Sequence, residues 1–221
     1  MPKVTALRIQ KRRKNRVNVF LDGEYAFSLQ DTVAATLRLD QTLTEQEIKA
    51  LKQRDNSERA YERALSYLTY RPRSRQEIQH YLEGKEVDRE TIDSVLTRLE
   101  RNHLVDDRDL ARYWVENRQT FRPRGPWALR AELRRKGIAP QVIEEAIQPL
   151  DEETEALHAA ERVLRRMARL DRETFRRRLW SYLQRRGFGY EVARRVTDRL
   201  WQQVSNQQQA GPKGQASADD E

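Results

Sequence analysis

Two phrases of the sequence, Tyr70–Ser74 (YRPRS) and Phe121–Gly125 (FRPRG), have the same design and lie 51 positions apart. Each contains an aromatic residue, a proline between two arginines, and a residue that commonly caps the start of a helix. Such a phrase can be punctuation between helices, a loop that binds an anion, or the visible part of a longer repeat. The residues that follow each phrase decide between these possibilities.

The apolar positions after YRPRS recur 51 residues later and again 50 residues after that. The segments LEGKEV, LRRKGI and LQRRGF, of which the last two are strongly cationic, recur among them at the same spacing. Agreement at six apolar positions in three copies indicates an internal repeat of about 50 residues. The matched sets are Ile78, Leu82, Val87, Ile92, Val95 and Leu99; Leu129, Leu133, Ile138, Ile143, Ala146 and Leu150; and Leu179, Leu183, Phe188, Ala193, Val196 and Leu200.

Each copy predicts three short helices, because its apolar residues follow the i, i+3, i+4 spacing of a helix face. The prolines separate the first helix from the second, which starts at a capping box of Ser74 and Glu77 in copy one and at Gly125-Pro126 in copy two. Gly137 and Gly187 are expected to end the second helix in the left-handed conformation. Copy one has EGKEV at this turn, so we expect a turn of different shape there. The aromatics of the two phrases, Tyr70 and Phe121, are expected to pack against the core.

The fold class that follows is mainly α, with tandem three-helix repeats at residues 57–107, 108–155 and 156–204 in an elongated, curved array. Residues 1–56 differ in kind, because β-prone runs on either side of Asp22-Gly23 predict a small three-stranded meander with a type I′ turn. Two short helices, Asp31–Leu37 and Thr44–Arg54, are predicted after it. The polar residues 205–221 are predicted to form a disordered tail.

Composition and charge favour a partner with many negative charges. The net charge is +8, and residues 156–204 alone contain 13 Lys/Arg against 5 Asp/Glu. Nucleic acid is the first expectation and an acidic protein surface the second. The sequence contains no cysteine and no apolar run long enough to span a membrane. We therefore expect a cytoplasmic protein without disulfides, thiol chemistry or a membrane partner.

The arginines that flank the two prolines are not explained by helix punctuation. They precede a helix N-terminus, where free backbone N–H groups favour an anion. The RRKG-type turns resemble those of helix-turn-helix proteins, but the third helices of copies one and two are acidic, so we do not expect them to read a DNA major groove. Copy three, with YEVARRVTDRLW, is the better candidate for direct contact with nucleic acid. The Lys11–Arg16 turn adds a further cationic loop.

Other residues carry weaker signals. Trp114 and Trp180 lie at helical spacing and are interpreted as core rather than as base-stacking platforms, whereas Trp127, just after Pro126, can lie exposed. The sequence has no phosphate-binding glycine loop, and its three histidines lack metal-ligand spacing. The acids Asp106, Asp107 and Asp109 could serve a metal-dependent nuclease, but they are better interpreted as capping the next helix.

Several of these segments together resemble one family. ALSYLTYRPRSRQEI, LVDDRDLARYWVENR, ELRRKGI and YLQRRGF, in this order and spacing, look like the bacterial recombination regulator family RecX. The resemblance covers residues 57 to 204, and RVNVFLDGEYAFSL is similar to the N-terminal extension of the longer members.

The resemblance implies a non-enzymatic protein, expected to be monomeric and without a cofactor. It would bind the RecA recombinase, chiefly as a filament on single-stranded DNA, and limit ATPase and strand exchange. A general DNA-binding module that acts without RecA remains the alternative, and a metal-dependent nuclease is a third. The candidate binding residues are the loop cations Arg71, Arg73, Arg75, Arg122, Arg124, Arg134, Arg135, Lys136, Arg185 and Arg186, together with Arg12, Arg13 and Lys14.

Overall fold

The structure, a computed structural model, describes residues 1–12 and 14–210, and for residues 207–210 only the backbone. The chain forms two compact units, one up to Asp106 and one from Asp107 onward. Among the described residues, no helix has the length and apolar character needed to cross a lipid bilayer.

The first unit begins with the predicted three-stranded antiparallel meander, in the order β1 (Val4–Ile9), β2 (Arg16–Leu21) and β3 (Glu24–Gln30). Asp22 and Gly23 both have positive φ, 50° and 89°, as a type I′ hairpin turn requires. One face of the sheet packs on α1 (Asp31–Ala34), which is shorter than predicted, and on the start of the next helix.

That next helix, α2, runs without interruption over Glu45–Leu68. It begins at the predicted Thr44 capping box, in which Thr44 and Glu47 each receive the backbone N–H of the other. The prediction of a separate helix that ends at Arg54 is wrong. Residues 45–68 contain neither glycine nor proline, so no local signal stops the helix. Its second half is the first helix of repeat 1.

Repeat 1 continues with α3 (Arg75–Glu83) and α4 (Arg89–Arg101). The second unit contains repeat 2, with α5 (Asp107–Phe121), α6 (Pro126–Arg135) and α7 (Pro140–Ile147), and repeat 3, with α8 (Glu152–Met167), α9 (Arg172–Arg185) and α10 (Tyr190–Ala210). The last helix therefore extends six residues into the segment predicted to be a disordered tail. The rest of that segment lies outside the described residues.

The repeat register is confirmed by the cores. Of the 18 matched apolar positions, 15 are buried, and the other three, Val87, Ala146 and Leu150, are partly buried against the same clusters. Each repeat thus has its own small core of three helices. The predicted starts of the second helices are also confirmed, with a complete Ser74–Glu77 capping box and with Gly125 before Pro126.

The turn after the second helix has the same shape in all three repeats, and the expectation of a different turn in copy one is wrong. Gly137 and Gly187 have φ of 76° and 86°, and Glu86 occupies the equivalent left-handed position with φ 59°. The next residue in each repeat donates its N–H to the leucine carbonyl five positions back, at 3.2 Å. The hydrogen-bonded turn therefore holds a glutamate in a conformation that favours glycine.

The two phrase aromatics do not pack against the core. Tyr70 is 84% exposed and Phe121 is 64% exposed. The aromatic contact is made one turn earlier, where Tyr67 stacks on Tyr81 with ring centroids 4.1 Å apart. In repeat 2 the partly buried Trp114 packs against the core.

Candidate binding surface

The arginines of the YRPRS loop are held by acids of the same repeat. Arg71 donates to Glu77 through Nη2 at 2.6 Å, and this hydrogen bond raises the pKa of Arg71 above its ordinary value. The Arg73 guanidinium lies 3.9 Å from the ring centre of Tyr67 and 3.9 Å from Oε1 of Glu77. Its side chain is only 14% exposed. Arg75 pairs with Glu100 at 2.6 Å. These three candidates therefore stabilise repeat 1.

The FRPRG loop of repeat 2 holds one of its arginines and leaves the other exposed. Arg124 lies 3.3 Å from Glu132, a carboxylate that also receives hydrogen bonds from Trp114 at 2.7 Å and Arg118 at 2.8 Å. Arg122 is exposed, and its guanidinium has neither a hydrogen bond nor an ion pair with any described residue. Arg122 is therefore available to a partner.

The FRPRG loop lies directly against the QRRGF turn of repeat 3. The Gly125 N–H donates to the Arg186 carbonyl at 3.0 Å, and the Trp127 N–H donates to the Gly187 carbonyl at 3.2 Å. Arg186 in turn donates to the Pro123 carbonyl at 3.2 Å. A Cβ atom at position 125 would overlap the backbone of Gly187, which explains why this phrase ends in glycine and not in serine.

This contact brings the cations of two phrases to one place, which we call the junction surface: Arg122, Arg124, Arg185 and Arg186. Arg186 is tied to Pro123 and lies over the Tyr182 ring at 5.0 Å. Arg185 is exposed and, like Arg122, has no hydrogen bond or ion pair with a described residue. The junction surface therefore presents two free guanidinium groups on a rigid frame of backbone hydrogen bonds.

The remaining candidates lie on other turns. Arg134 and Arg135 are exposed at the end of α6, and Lys136 lies over the Trp114 ring at 4.1 Å. Arg12 and Lys14 are exposed in the β1–β2 turn, while Arg13 lies outside the described residues. The structure thus separates candidates that are bound internally from those that are free.

A cleft of about 780 Å³ lies beside the junction surface, between the end of α5 and α8. It contains Glu155, whose side chain is 9% exposed and whose Oε2 has no hydrogen-bond partner among the described residues. Oε1 receives a hydrogen bond from Gln119 at 3.4 Å. Arg162 binds the carbonyls of Thr120 and Phe121 at the end of α5. This side of repeats 2 and 3 therefore carries both signs of charge, as a protein partner would require.

The acids Asp106, Asp107 and Asp109 lie at or before the first turn of α5, where carboxylates are favoured by the helix dipole. Asp109 pairs with Arg112 at 2.5 Å. Within the part of the chain that the structure describes, no cluster of three or more acids and histidines could hold a metal ion.

Sequence reasoning missed the acids that bind the loop arginines. Glu77 was recognised only as a helix cap, although it also receives Arg71. Glu132 is a single acid in the basic helix WALRAELRRK, and this isolation is the one signal that could have identified it. Two of its three partners, Trp114 and Arg118, lie on α5 and the third, Arg124, lies in a loop, so only the fold brings them to Glu132.

Four family models match the chain. The Regulatory protein RecX N-terminal domain matches residues 2–43, and the first, second and third RecX three-helix domains match residues 60–99, 106–147 and 151–197. A Regulatory protein RecX from Bacillus licheniformis is 34% identical over 197 residues, covering 87% of this chain and 75% of the relative. The one from Bacillus subtilis is 31% identical over 205 residues, covering 90% and 78%. A solved structure, "Crystal structure of regulatory protein RecX", matches with a TM-score of 0.74 at 28% identity, covering 90% of this chain and 100% of that one.

Proposed function

The chain belongs to the RecX family of regulatory proteins, and on that premise we propose that it binds the RecA recombinase as a filament on single-stranded DNA. Bound there, it limits RecA ATPase activity and strand exchange. It acts in the cytoplasm as a monomer and uses no catalytic residue or cofactor.

The observation that carries this proposal is the pair of free guanidinium groups on the junction surface, Arg122 and Arg185. Arg122 lies in the FRPRG loop and Arg185 is the last residue of α9, and backbone hydrogen bonds join this loop to the turn that follows α9. A nucleoprotein filament presents phosphates and acidic side chains, and both accept charge-assisted hydrogen bonds from arginine. Because the loops are already ordered, these contacts require little further ordering on binding.

The cleft beside the junction surface supports a protein partner in addition to DNA. Its lining includes the exposed acid Glu161 beside Arg162 and Arg165, and a basic side chain of the partner could pair with this acid. DNA offers no cation for such a contact, so this acid favours binding to a protein–DNA assembly rather than to DNA alone.

The test is the DNA-stimulated ATPase activity of RecA, measured against increasing concentrations of this protein. The wild type is expected to inhibit at less than one molecule per RecA. A variant with Arg122→Glu and Arg185→Glu should require about tenfold more protein or higher, because each lost charge-assisted contact affects the free energy of binding by about 1.5–3 kcal/mol. The matched control carries Lys49→Glu and Arg89→Glu, the same change of charge at exposed residues that are not part of the junction surface.

Each outcome bears on the proposal. If the wild type leaves the ATPase unchanged at excess while still binding single-stranded DNA, the RecA function is wrong and a general DNA-binding module replaces it. If the double variant and its control inhibit equally, the junction surface is not the contact. Circular dichroism and thermal unfolding of both variants establish that any loss comes from the surface and not from misfolding.

A further inference from the structure

Repeat 3 contains a cleft between α9 and α10 that the proposed contact with RecA does not use. Its volume is about 360 Å³, within the range of pockets that bind small ligands. We call it the α9–α10 cleft, and it is lined by Arg176, Arg177, Trp180, Tyr190, Arg194, Thr197 and Asp198.

Two aromatic rings form one side of the cleft. Trp180 and Tyr190 meet edge to face, with ring centroids 5.8 Å apart and planes at 75°. Trp180 packs partly against the repeat 3 core, while Tyr190 is 57% exposed. The exposed Tyr190 ring is therefore supported by Trp180. Proteins that bind single-stranded nucleic acid use such aromatic rings to stack on unpaired bases.

The cations of the cleft exceed its acids by two, since it is lined by three arginines and one aspartate. Arg176 pairs with Asp198 at 2.7 Å, which leaves Arg177 and Arg194. Arg194 is exposed and has no hydrogen bond or ion pair with a described residue. The nearest acid to Arg177 is Glu173 at 3.9 Å, and both side chains are mostly exposed. Two guanidinium groups can therefore reach an anion at the mouth of the cleft.

The equivalent positions of repeat 2 close the same groove. Trp180 and Arg194 correspond to Arg130 and Glu144, which form a two-bond ion pair with both distances 2.8 Å. In repeat 1 the equivalents are Gln79 and Asp93. The combination of an aromatic ring with a free cation thus occurs in repeat 3 alone among the three copies, so the repeat architecture does not account for it.

Thr197 is a further departure from the repeat pattern. Its equivalents Leu96 and Ile147 are buried core residues. Thr197 is 2% exposed, and its Oγ1 has no hydrogen-bond partner among the described residues. Threonine is smaller than leucine or isoleucine and therefore fills less of the space between α9 and α10, while its Oγ1 is enclosed and does not itself contact a ligand.

We propose that the α9–α10 cleft binds one nucleobase of single-stranded DNA. The base stacks on the aromatic pair, and the adjacent phosphates bind Arg177 and Arg194. The inference rests on the single-stranded DNA part of the proposed function and not on RecA. The α9–α10 cleft would thus recognise a DNA base, whereas the arginines of the junction surface would contact DNA only through its phosphates.

The experiment measures binding of the full chain, without RecA, to two fluorescent oligonucleotides of equal length. One is oligothymidylate, and the other has the same phosphates with abasic sites in place of the bases. Tyr190→Ala is expected to weaken binding to oligothymidylate about tenfold while leaving the abasic affinity unchanged. Tyr190→Phe keeps the ring and should bind as the wild type does. The matched control is Trp127→Ala, which removes a 74% exposed aromatic residue from repeat 2.

Several results would overturn the cleft assignment. These are equal affinity of the wild type for both oligonucleotides, no detectable binding to oligothymidylate, or equal effects of Tyr190→Ala and Trp127→Ala. Weakened RecA inhibition by Tyr190→Ala with unchanged DNA binding would assign the cleft to a protein segment instead. Because RecA is absent from the binding assay, failure here leaves the ATPase result standing, and failure of the ATPase test leaves this site standing.

Discussion

Repeat 1 and repeat 3 share one fold but differ in what their arginines contact. Residues 57–107 contain 9 Lys/Arg against 11 Asp/Glu, whereas residues 156–204 contain 13 against 5. In repeat 1 the loop arginines bind Glu77 and Glu100. In repeat 3, Arg185 and Arg194 form no ion pair with a described residue. The same residue type therefore stabilises the fold in one repeat and remains available for binding in the other, and the local supply of acids determines which.

The two repeats also differ at the turn after the second helix. Glu86 in repeat 1 and Gly187 in repeat 3 have the same left-handed backbone, but only Gly187 lies against another chain segment, at Ala128. The first position is strained and open, and the second is relaxed and closely packed. Comparing substitutions at these two positions therefore separates two effects on stability, that of a left-handed backbone and that of a close contact with another segment.

The largest expected effect is the loss of stability from Gly187→Ala. The added Cβ would overlap Ala128, at an expected cost of about 1–3 kcal/mol for overpacking and about 1–2 kcal/mol for the left-handed conformation. Urea unfolding should therefore show a reduction of about 2–5 kcal/mol. The control is Glu86→Ala, which keeps a side chain at the equivalent turn and should change stability by less than about 1 kcal/mol. Equal losses in the two variants would contradict the close contact at Gly187.

A smaller effect is expected from Arg73→Ala in repeat 1. Arg73 covers the Tyr67 ring and is largely buried, so its removal should lower the free energy of unfolding by about 1–2 kcal/mol through lost packing and cation–π attraction. Arg185→Ala in repeat 3 should change that free energy by less than about 0.5 kcal/mol. Equal changes in the free energy of unfolding for Arg73→Ala and Arg185→Ala, measured by urea unfolding, would contradict this comparison.

The smallest effect concerns pH and the caps of the second helices. Asp171 caps α9, and the backbone N–H of Thr174 holds the pKa of Asp171 below its ordinary value, whereas repeat 1 uses Ser74, which does not titrate. Because the folded-state pKa is the lower one, this stabilisation is complete above the unfolded pKa and disappears as the pH falls through the folded value. The stability advantage of the wild type over Asp171→Ser should therefore shrink from about pH 5 to about pH 2. A constant difference across that range would rule out the cap as its source.

The architecture was predictable because it depends on the spacing of apolar residues, and the same spacing recurs in all three repeats. Positions such as Ile78, Leu129 and Leu179 are fully buried as expected. The arginine pairing was less predictable, because Glu132 collects its partners from α5 and a loop. Tyr70 was misplaced because an aromatic residue near a helix end has no marker for which way it points. The turn at Glu86 was not predicted because its hydrogen bonds impose a positive φ against the preference of glutamate.

The uninterrupted α2 determines where this chain can be divided. Its first 12 residues, Glu45 to Asn56, extend about 18 Å and carry the Thr44 cap. Within that half, the buried Asp55 binds Arg16 of the sheet at 2.8 Å and accepts the Gln30 N–H at 2.6 Å, while the second half forms the first helix of repeat 1. A fragment cut at residue 57 would lose the capped half of this helix, and the sheet would lose its anchor. We therefore expect the N-terminal segment and repeat 1 to unfold together, and we expect a fragment cut at residue 57 not to fold on its own.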